Sequence, residues 1–517
     1  MNAPSVVNRG PAPPCPDPFN LTAHVLGKAQ DDPDKVALAV LSQSSAERWS
    51  YSRLERTVLG LAGAFHAMGH PKGSRVLMRL GNTVEFPIVY LAAIAADLVP
   101  VPTSAQLTEP EITGMAATIA PSLVVASEGV ALPQGCAAPV IMADELSGLA
   151  EAEPLAPIPG DPNRPGYIVF TSGTSGVPRA VVHAHRAIWA RQMMVDGWYG
   201  LRPTDRVLHS GAFNWTYTLG TGLMDPWTIG ATALIPSPGT ESKMLPLLLK
   251  RHDATLFAAA PGVYRQMLRS PMPPLPKLRH GLSAGEKLPT SIQDAWTDAT
   301  GTEVHEAFGM SECSTFLSGA PDHPAPPDTL GYPQPGRHVA LLNDAGRPVP
   351  QGTPGVIAVA TDDPGLMLGY FGAEEASQAR LTEDGAWFVT GDMGRMGSDG
   401  AIAYLGRNDD MLNAGGFRVS PLEIEAALGV HPALDEVAAV EVSVKSDTTV
   451  IAAFYAAGEE VDPDELTAFA EARLAHYKTP RLYVCCEALP RSANGKLQRK
   501  ALRQQYEAAH GAPGHPV

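Results

Sequence analysis

Blocks of apolar and polar residues succeed one another along this chain with two different periods, and the alternation of those periods predicts its architecture. Leu38 to Leu54, LAVLSQSSAERWSYSRL, reads as a β-hairpin running into a helix that extends to about Met68. Arg75 to Leu80 predicts a strand, Thr83 to Ala95 a helix, Leu98 to Pro102 a strand and Ser122 to Ala126 another. Tyr167 to Phe170 is a short buried strand, Arg186 to Trp198 a helix, and Asp205 to Ser210 is extended. Ala254 to Ala259 predicts a small-residue strand and Pro261 to Arg269 a helix with proline in its first turn. Strands alternating with helices imply βαβ units and a largely parallel sheet, an α/β fold.

After Val356 to Ala360 and a strand ending in Thr390-Gly391-Asp392, the pattern changes near Gly406 to Asp410. Ser420, Pro421 and Glu423 form an expected N-cap with capping box, and Gly429 stops that helix. Val437 to Val444, Thr449 to Tyr455 and Leu482 to Cys486 predict strands around a helix that begins at Asp462. The division is therefore residues 1–18 as a flexible arm, 19–405 as a large N-terminal domain, 406–410 as a hinge and 411–517 as a small C-terminal α+β domain.

Composition narrows the function classes. With 44% hydrophobic and 18% charged residues the chain is globular. The longest apolar run, from Pro87, is broken by Asp97 and prolines before it reaches the roughly 18 residues of a membrane span. A formal charge of −16 argues against nucleic-acid binding through bulk electrostatics, so an anionic ligand has to be held locally. Met1 to Phe19 lacks the order of a signal peptide, and the five cysteines form no metal-ligand spacing, so a cytoplasmic location is expected.

The candidate chemistry starts at Ile168 to Arg179, IVFTSGTSGVPR. Thr171, Ser172, Thr174 and Ser175 supply hydroxyls, Gly173 and Gly176 free the backbone to present N–H groups, and Arg179 adds a permanent charge. This set suits a polyphosphate, although it is not the G-x-x-x-x-G-K-[ST] loop. Phe213, Trp215, Tyr217 and Trp227 cluster in a chain with only 6% aromatics, and such a cluster either packs a core or walls an apolar pocket.

TSGTSGVPR, SAGEKLP, FGMSE, TGD, GRNDD, NAGGF and LPRSANGK stand in the order of the adenylate-forming acyl-CoA synthetase superfamily. From about Phe19 onward the chain resembles that family, and FNWTYTLGTGL with SAGEKLP look most similar to benzoate-type ligases. The resemblance implies a large domain of β-sheets flanked by helices, with a smaller barrel-like part, and a small mobile C-terminal domain. It also implies two steps: a carboxylate attacks MgATP to give acyl-AMP, then the thiol of coenzyme A takes the acyl group.

Carried onto this sequence, the family's roles fall as follows. Thr171 to Gly176 and Arg179 would bind the ATP phosphates. Ser311 would donate to the α-phosphate, Glu312 would hold Mg²⁺, and Lys496 would bridge carboxylate and phosphate. Ala284, Gly285 and Glu286 with Glu306, Ala307, Phe308 and Gly309 would form the adenine slot, and Asp392 and Arg407 would hold the ribose. Phe213, Asn214, Trp215, Tyr217 and Gly220 would wall the acyl pocket. Asp409 would be the hinge, Gly415 and Gly416 would line the CoA tunnel, and Tyr477 and Arg481 would meet the CoA nucleotide.

Two departures matter. Arg179 stands where the family usually has Lys, and restoring Lys is expected to leave activity intact; Asn214 stands where amino-acid-activating relatives carry Asp, which weighs against α-amino acids. The expected activity is a CoA ligase for a compact aromatic or cyclic acid. A short- or medium-chain fatty acyl-CoA synthetase, a stand-alone enzyme loading a carrier protein, and a nucleotide-binding regulator remain open at this point, as does a homodimer.

Overall fold

The computed structural model describes residues 3–171, 178–408, 410–414, 417–445, 448–491 and 497–510. The chain divides into two compact units, one of Val7–Val339 with Val359–Phe388, the other of Met1–Val6, Ala340–Ala358 and Val389–Val517.

In the larger unit a nine-stranded sheet carries the site. Its order is Tyr332–Pro333, Ser314–Ser318, Val304–Met310, His280–Ala284, Leu256–Ala259, Arg206–His209, Thr232–Pro236, Val36–Leu41 and Ala46–Ser50. The six strands from Val304–Met310 to Val36–Leu41 run parallel, and the outer ones are antiparallel. Every residue of Thr232–Pro236, Leu256–Ala259 and His280–Ala284 is buried, which is why these segments read as continuous apolar runs rather than alternating ones.

Val99–Pro102, Arg75–Arg79, Leu123–Ala126 and Val140–Met142 make a second, wholly parallel sheet. Helix Glu85–Ala95 is buried from Phe86 to its end. Asp97, in a left-handed turn at φ 60, closes that segment by pairing with Arg164 at 2.8 Å. Among the described residues no helix is long and apolar enough to cross a membrane.

The strands on either side of residues 172–177 depart from the parallel scheme. Pro165–Thr171 and Arg179–Ala184 are antiparallel, with Thr171 opposite Arg179, and Gly369–Tyr370 adds a third strand. Too few residues separate them for the dozen or more that a parallel crossover needs, so the loop is a hairpin connection. The helix expected over Arg186 to Trp198 is shorter too. An α-helix covers Arg186–Ala190, and Val195–Tyr199 is a π-helical turn closed by Gly200 at φ 55.

Most residues of a five-stranded sheet ordered Val6–Asn8, His338–Leu342, Pro354–Ala360, Trp387–Met396 and Ile402–Arg407 belong to the smaller unit. The expected flexible arm is therefore corrected: Val6–Asn8 is an edge strand, and the fully buried Ser5 exchanges backbone hydrogen bonds with Val349 and Leu341 at 2.7 and 2.9 Å. Prolines around Val6 are compatible with an edge, where a ladder donor is not required. Asp392, expected at a strand end, lies inside Trp387–Met396 because Gly391 at φ 81 and a bulge at Met393/Gly394 bend the strand without ending it.

Helix Pro421–Leu428 starts where expected, but its capping box is absent. The Ser420 hydroxyl donates to the Leu405 carbonyl, and Glu423 pairs with Lys478 at 2.8 Å. Glu436–Lys445, Thr448–Ala456 and Leu482–Cys486 form the last sheet, flanked by Pro463–Glu471 and Arg499–His510.

Candidate active site

Strand Arg179–Ala184 meets the turn after Val304–Met310 through a histidine. His183 Nε2 lies 2.6 Å from the Ser311 carbonyl. A carbonyl only accepts, so Nε2 carries the proton, and burial, which pushes the imidazole down to about 4, keeps the ring neutral. The next residue, Glu312, is buried and is held from the other side: the Tyr370 hydroxyl donates to its Oε1 at 2.7 Å, and Met367 N–H donates to its carbonyl at 2.7 Å. Arg179 stands over the Tyr370 ring, its guanidinium carbon 5.1 Å from the centroid. The loop cation, the phenol and the carboxylate thus form one chain of contacts.

This stack revises the expectation for Arg179. A planar guanidinium lies on an aromatic face in a way an ammonium does not reproduce. Arg179→Lys is expected to loosen Tyr370, and with it Glu312, raising KM for MgATP by roughly three- to tenfold, in line with about 0.5–1 kcal/mol or somewhat more for such a contact. Initial rates against MgATP check this; unchanged KM returns Arg179 to a simple point charge.

The adenine-slot candidates come together on adjacent strands, with Ala284 paired to Ala307 and Ser283 to Glu306. Gly285 sits at φ 99, and a Cβ there would come 2.7 Å from the Trp215 ring, so only glycine admits the turn and the indole together. At Gly309 a Cβ would lie 2.1 Å from the Ser314 carbonyl, across the bulge that follows Phe308. Glu306 is buried; Leu288 N–H donates to Oε1 at 3.1 Å, and Lys287 lies 3.6 Å from Oε2.

Burial raises the Glu306 carboxyl to about 7, with Lys287 and the Leu288 N–H opposing. Since the folded value exceeds the unfolded one, stability from this group falls as pH rises from about 4.5 through 7. The resemblance puts Glu306 in the adenine slot, where the carboxylate ionised in the same window would be the better acceptor for an exocyclic amine. KM for ATP is expected to fall on raising pH through about 7, and Glu306→Gln to flatten that dependence.

The aromatic stretch splits between two roles. Asn82 pins Gly211 to Phe213 with hydrogen bonds of 2.8 and 2.9 Å. Phe213 is buried against Phe86, centroids 5.3 Å apart, while Asn214 is half-buried. Tyr217 donates to the Leu282 carbonyl at 3.0 Å and meets Trp215 edge-on. None of these four lines the cavity beside Ser311. One wall of it is made by Thr216 and by Leu219, Gly220 and Met224 of the π-helical segment Thr218–Met224, so that Gly220 alone of the five expected acyl-pocket residues borders it.

Sequence reading missed what lies against Gly220. A Cβ there would come 2.2 Å from the Arg191 guanidinium, which is buried and paired in bidentate fashion with Asp225 at 2.6 to 3.1 Å. Burial opposes the Arg191 charge, but Asp225 outweighs it and keeps the guanidinium cationic. The only signal in the sequence was a lone aspartate in the apolar run LGTGLMDPW.

In the smaller unit Asp392 and Arg407 are cross-strand partners 3.4 Å apart, and the Tyr404 hydroxyl donates to Asp392 at 2.9 Å. Thr390 orients the turn by donating to Ile357 O at 2.7 Å and accepting from Asp392 N–H. Tyr477 and Arg481 are exposed, with Arg481 beside His476 at 3.0 Å. Ser172, Gly173, Thr174, Ser175, Gly176, Asp409, Gly415, Gly416 and Lys496 lie outside the described residues.

Comparison with known proteins shows the family. Residues 27–371 match the AMP-binding enzyme family and residues 423–496 the AMP-binding enzyme C-terminal domain. The chain is 30% identical to a 3-hydroxybenzoate–CoA ligase of an Aromatoleum species, over 89% of this chain and 92% of that protein. It is also 30% identical to a 4-hydroxybenzoate–CoA/benzoate–CoA ligase of Rhodopseudomonas palustris, over 90% and 92%. The crystal structure of a benzoate CoA ligase from Burkholderia xenovorans superposes with a TM-score of 0.83 at 29% identity, covering 94% of this chain and all of that one. The chain belongs to the AMP-binding enzyme family and thus to the adenylate-forming acyl-CoA synthetases.

Proposed function

We propose that this enzyme activates a compact aromatic or cyclic carboxylic acid with ATP and transfers the acyl group from acyl-AMP to coenzyme A, releasing AMP and pyrophosphate. The observation that carries this reading is that Ser311, which the family resemblance places at the α-phosphate, and Gly220, expected on the acyl side, border one small cavity together with Tyr90, Tyr167 and Leu219. A carboxylate held there next to the α-phosphate would react as in an intramolecular step, and a ring following it would have to displace part of the wall from Thr218–Met224, because the cavity of about 20 Å³ is no larger than a water molecule needs. The relatives named for benzoates and hydroxybenzoates support the acid class.

A divalent magnesium ion fits Glu312. Tyr370 fixes one carboxylate oxygen, and the other has no partner among the described residues, as a hard cation shared with phosphate oxygens requires. Such an ion would neutralise phosphate charge in the adenylation step. The residues of this chain do the rest: His183 and Tyr370 hold Ser311 and Glu312 in place, Arg179 and the hydroxyls of Thr171 to Ser175 would receive the leaving pyrophosphate, and Asp392 with Arg407 would hold the ribose. Lys496 would close on the carboxylate in the first step, and a rotation at Asp409 would exchange it for the Gly415–Gly416 face in the second. That proposal takes 19–405 and 411–517 as the two moving bodies.

Incubation with MgATP, coenzyme A and a panel of benzoates, cyclic acids and fatty acids tests the reading. Thioester and AMP in equal amounts with a ring-bearing acid support it, and exclusive turnover of unbranched fatty acids would replace it by the fatty acyl alternative.

A further inference from the structure

Tyr370, whose hydroxyl meets Glu312, ends a segment that has little regular structure of its own. Residues 361–368 form neither helix nor strand, so tertiary contacts have to set their path up to the short strand Gly369–Tyr370. Two arginines do so. Arg186 Nη1 donates to the carbonyls of Pro364 and Leu366, the latter at 3.3 Å. Arg337 is fully buried, and its Nη1 donates to Oδ1 of Asp363, whose side chain is 1% exposed. Gly365 wraps the turn around that contact: its N–H donates to Asp363 Oδ1 at 2.8 Å, and a Cβ there would come 2.9 Å from Arg337 Nη1.

The other branch of the guanidinium points to the residues that follow Glu312. Arg337 Nη2 donates to the Thr315 carbonyl at 3.1 Å, and the Cys313 thiol lies 3.9 Å from Nη1 and 4.0 Å from Asp363 Oδ1. One fork therefore joins residues 313–315 to residues 363–370. From the latter, Met367 N–H donates to the Glu312 carbonyl and the Tyr370 hydroxyl to Oε1, each at 2.7 Å. Ahead of Glu312 the turn is held by His183 at the Ser311 carbonyl, and after it by the fork.

As a source of stability the pair is imperfect. Among the described residues, Arg337 Nε and Asp363 Oδ2 are buried without a hydrogen-bond partner. A buried ion pair with unmet groups is often no better than apolar side chains of similar volume. Its geometric effect is the larger one. The strand ladder ties Gly369–Tyr370 to Arg179–Ala184, but it does not reach the turn that carries Glu312. The fork makes that connection.

We infer that Arg337 and Asp363 are positioning residues for the Glu312 carboxylate: by locking residues 363–370 onto Cys313 and Thr315 they fix Glu312 against the tyrosine and the amide that aim it at the divalent ion of MgATP. The inference rests on the acid–CoA ligase reading and deepens its use of Glu312. Removing a group that orients a metal ligand typically costs about 10–100-fold in metal affinity or activity.

The experiment follows binding of the Mn²⁺ complex of α,β-methylene ATP to the full chain by electron paramagnetic resonance, alongside the Mg²⁺ dependence of acyl-CoA formation. Arg337→Met with Asp363→Leu, which strands neither charge, is expected to weaken Mn²⁺ binding by roughly tenfold or more and to raise the half-saturating Mg²⁺ to match, with KM for the acid unchanged. Added to Tyr370→Phe, the pair variant should cost less than the product of the separate losses, because both changes loosen the same carboxylate. Should the pair variant fail to fold, Arg337→Lys keeps the charge and loses the fork, and carries the same expectation. Unchanged Mn²⁺ binding in a folded variant, or losses that simply multiply, would overturn the inference and leave the pair structural. Absence of turnover with every acid would fail the ligase reading alone, since Mn²⁺ binding is read without turnover and still decides the inference.

Discussion

Lys496→Ala is expected to lower acyl-adenylate formation by roughly 10²–10³-fold, the loss typical when one preorganised donor is removed from developing charge. Gly415→Leu is expected to do the opposite, sparing adenylation and blocking thioester formation, because bulk in a pantetheine tunnel stops the thiol and leaves the carboxylate untouched. Pyrophosphate release reports the first step and thioester the second. Equal loss of both signals in both variants would refute the division of labour between the two residues. Thermal denaturation separates a catalytic loss from an unfolded variant.

Arg191→Met is the substitution expected to cost most stability. It leaves Asp225 buried with only the Tyr199 hydroxyl, 2.7 Å away, and the cost of stranding one partner of a buried pair is about 3–5 kcal/mol. A drop in Tm of several degrees should follow. The double variant Arg191→Met with Asp225→Leu should recover most of that stability, since replacing both charges by apolar groups is often neutral or better. A double variant no more stable than Arg191→Met would contradict this account of the pair.

Why evolution of a fold would keep such a pair follows from its surroundings. Around it lie Tyr199, Thr221 and Ser314, to all of which Arg191 donates, and a side chain at Gly220, inside the π-helical segment Thr218–Met224, would meet the guanidinium. Gly220, singled out as a pocket residue, is thus glycine for the sake of the guanidinium behind it.

How much of this was legible in the sequence differs by element. Ser311 and Glu312 were legible only through the set of motifs in which FGMSE stands, since a lone hydroxyl–carboxylate pair after a strand is ordinary solvated surface. Their supports were not legible: His183 is one histidine between valine and alanine on a strand, and Tyr370 comes from far along the chain, so nothing local links either to the motif. Arg191 and Asp225 are likewise joined only by the fold. The parallel sheet was readable from its continuous apolar strands, whereas the hairpin at Thr171–Arg179 was hidden by a loop whose composition spoke of phosphate rather than of strand pairing. Helix Glu109–Ile119 announced itself by the capping box of Thr108 and Glu111 and was passed over. Ser420 had the right residue type for a cap and found a better acceptor in Leu405, a tertiary contact that no spacing reveals.

Trp215 illustrates the middle case. Its position between glycines suggested a pocket wall, and it touches instead the turn at Gly285, so that the aromatic stretch and the SAGEK turn are packed on each other. A side chain at Gly285 is therefore expected to displace the Trp215 ring.

The central claim is tested most directly by mixing the purified chain with MgATP, coenzyme A and a panel of aromatic and cyclic acids and following AMP and thioester together. Stoichiometric AMP and acyl-CoA with at least one aromatic or cyclic acid is the predicted result. ATP binding without pyrophosphate release across the whole acid panel would contradict it.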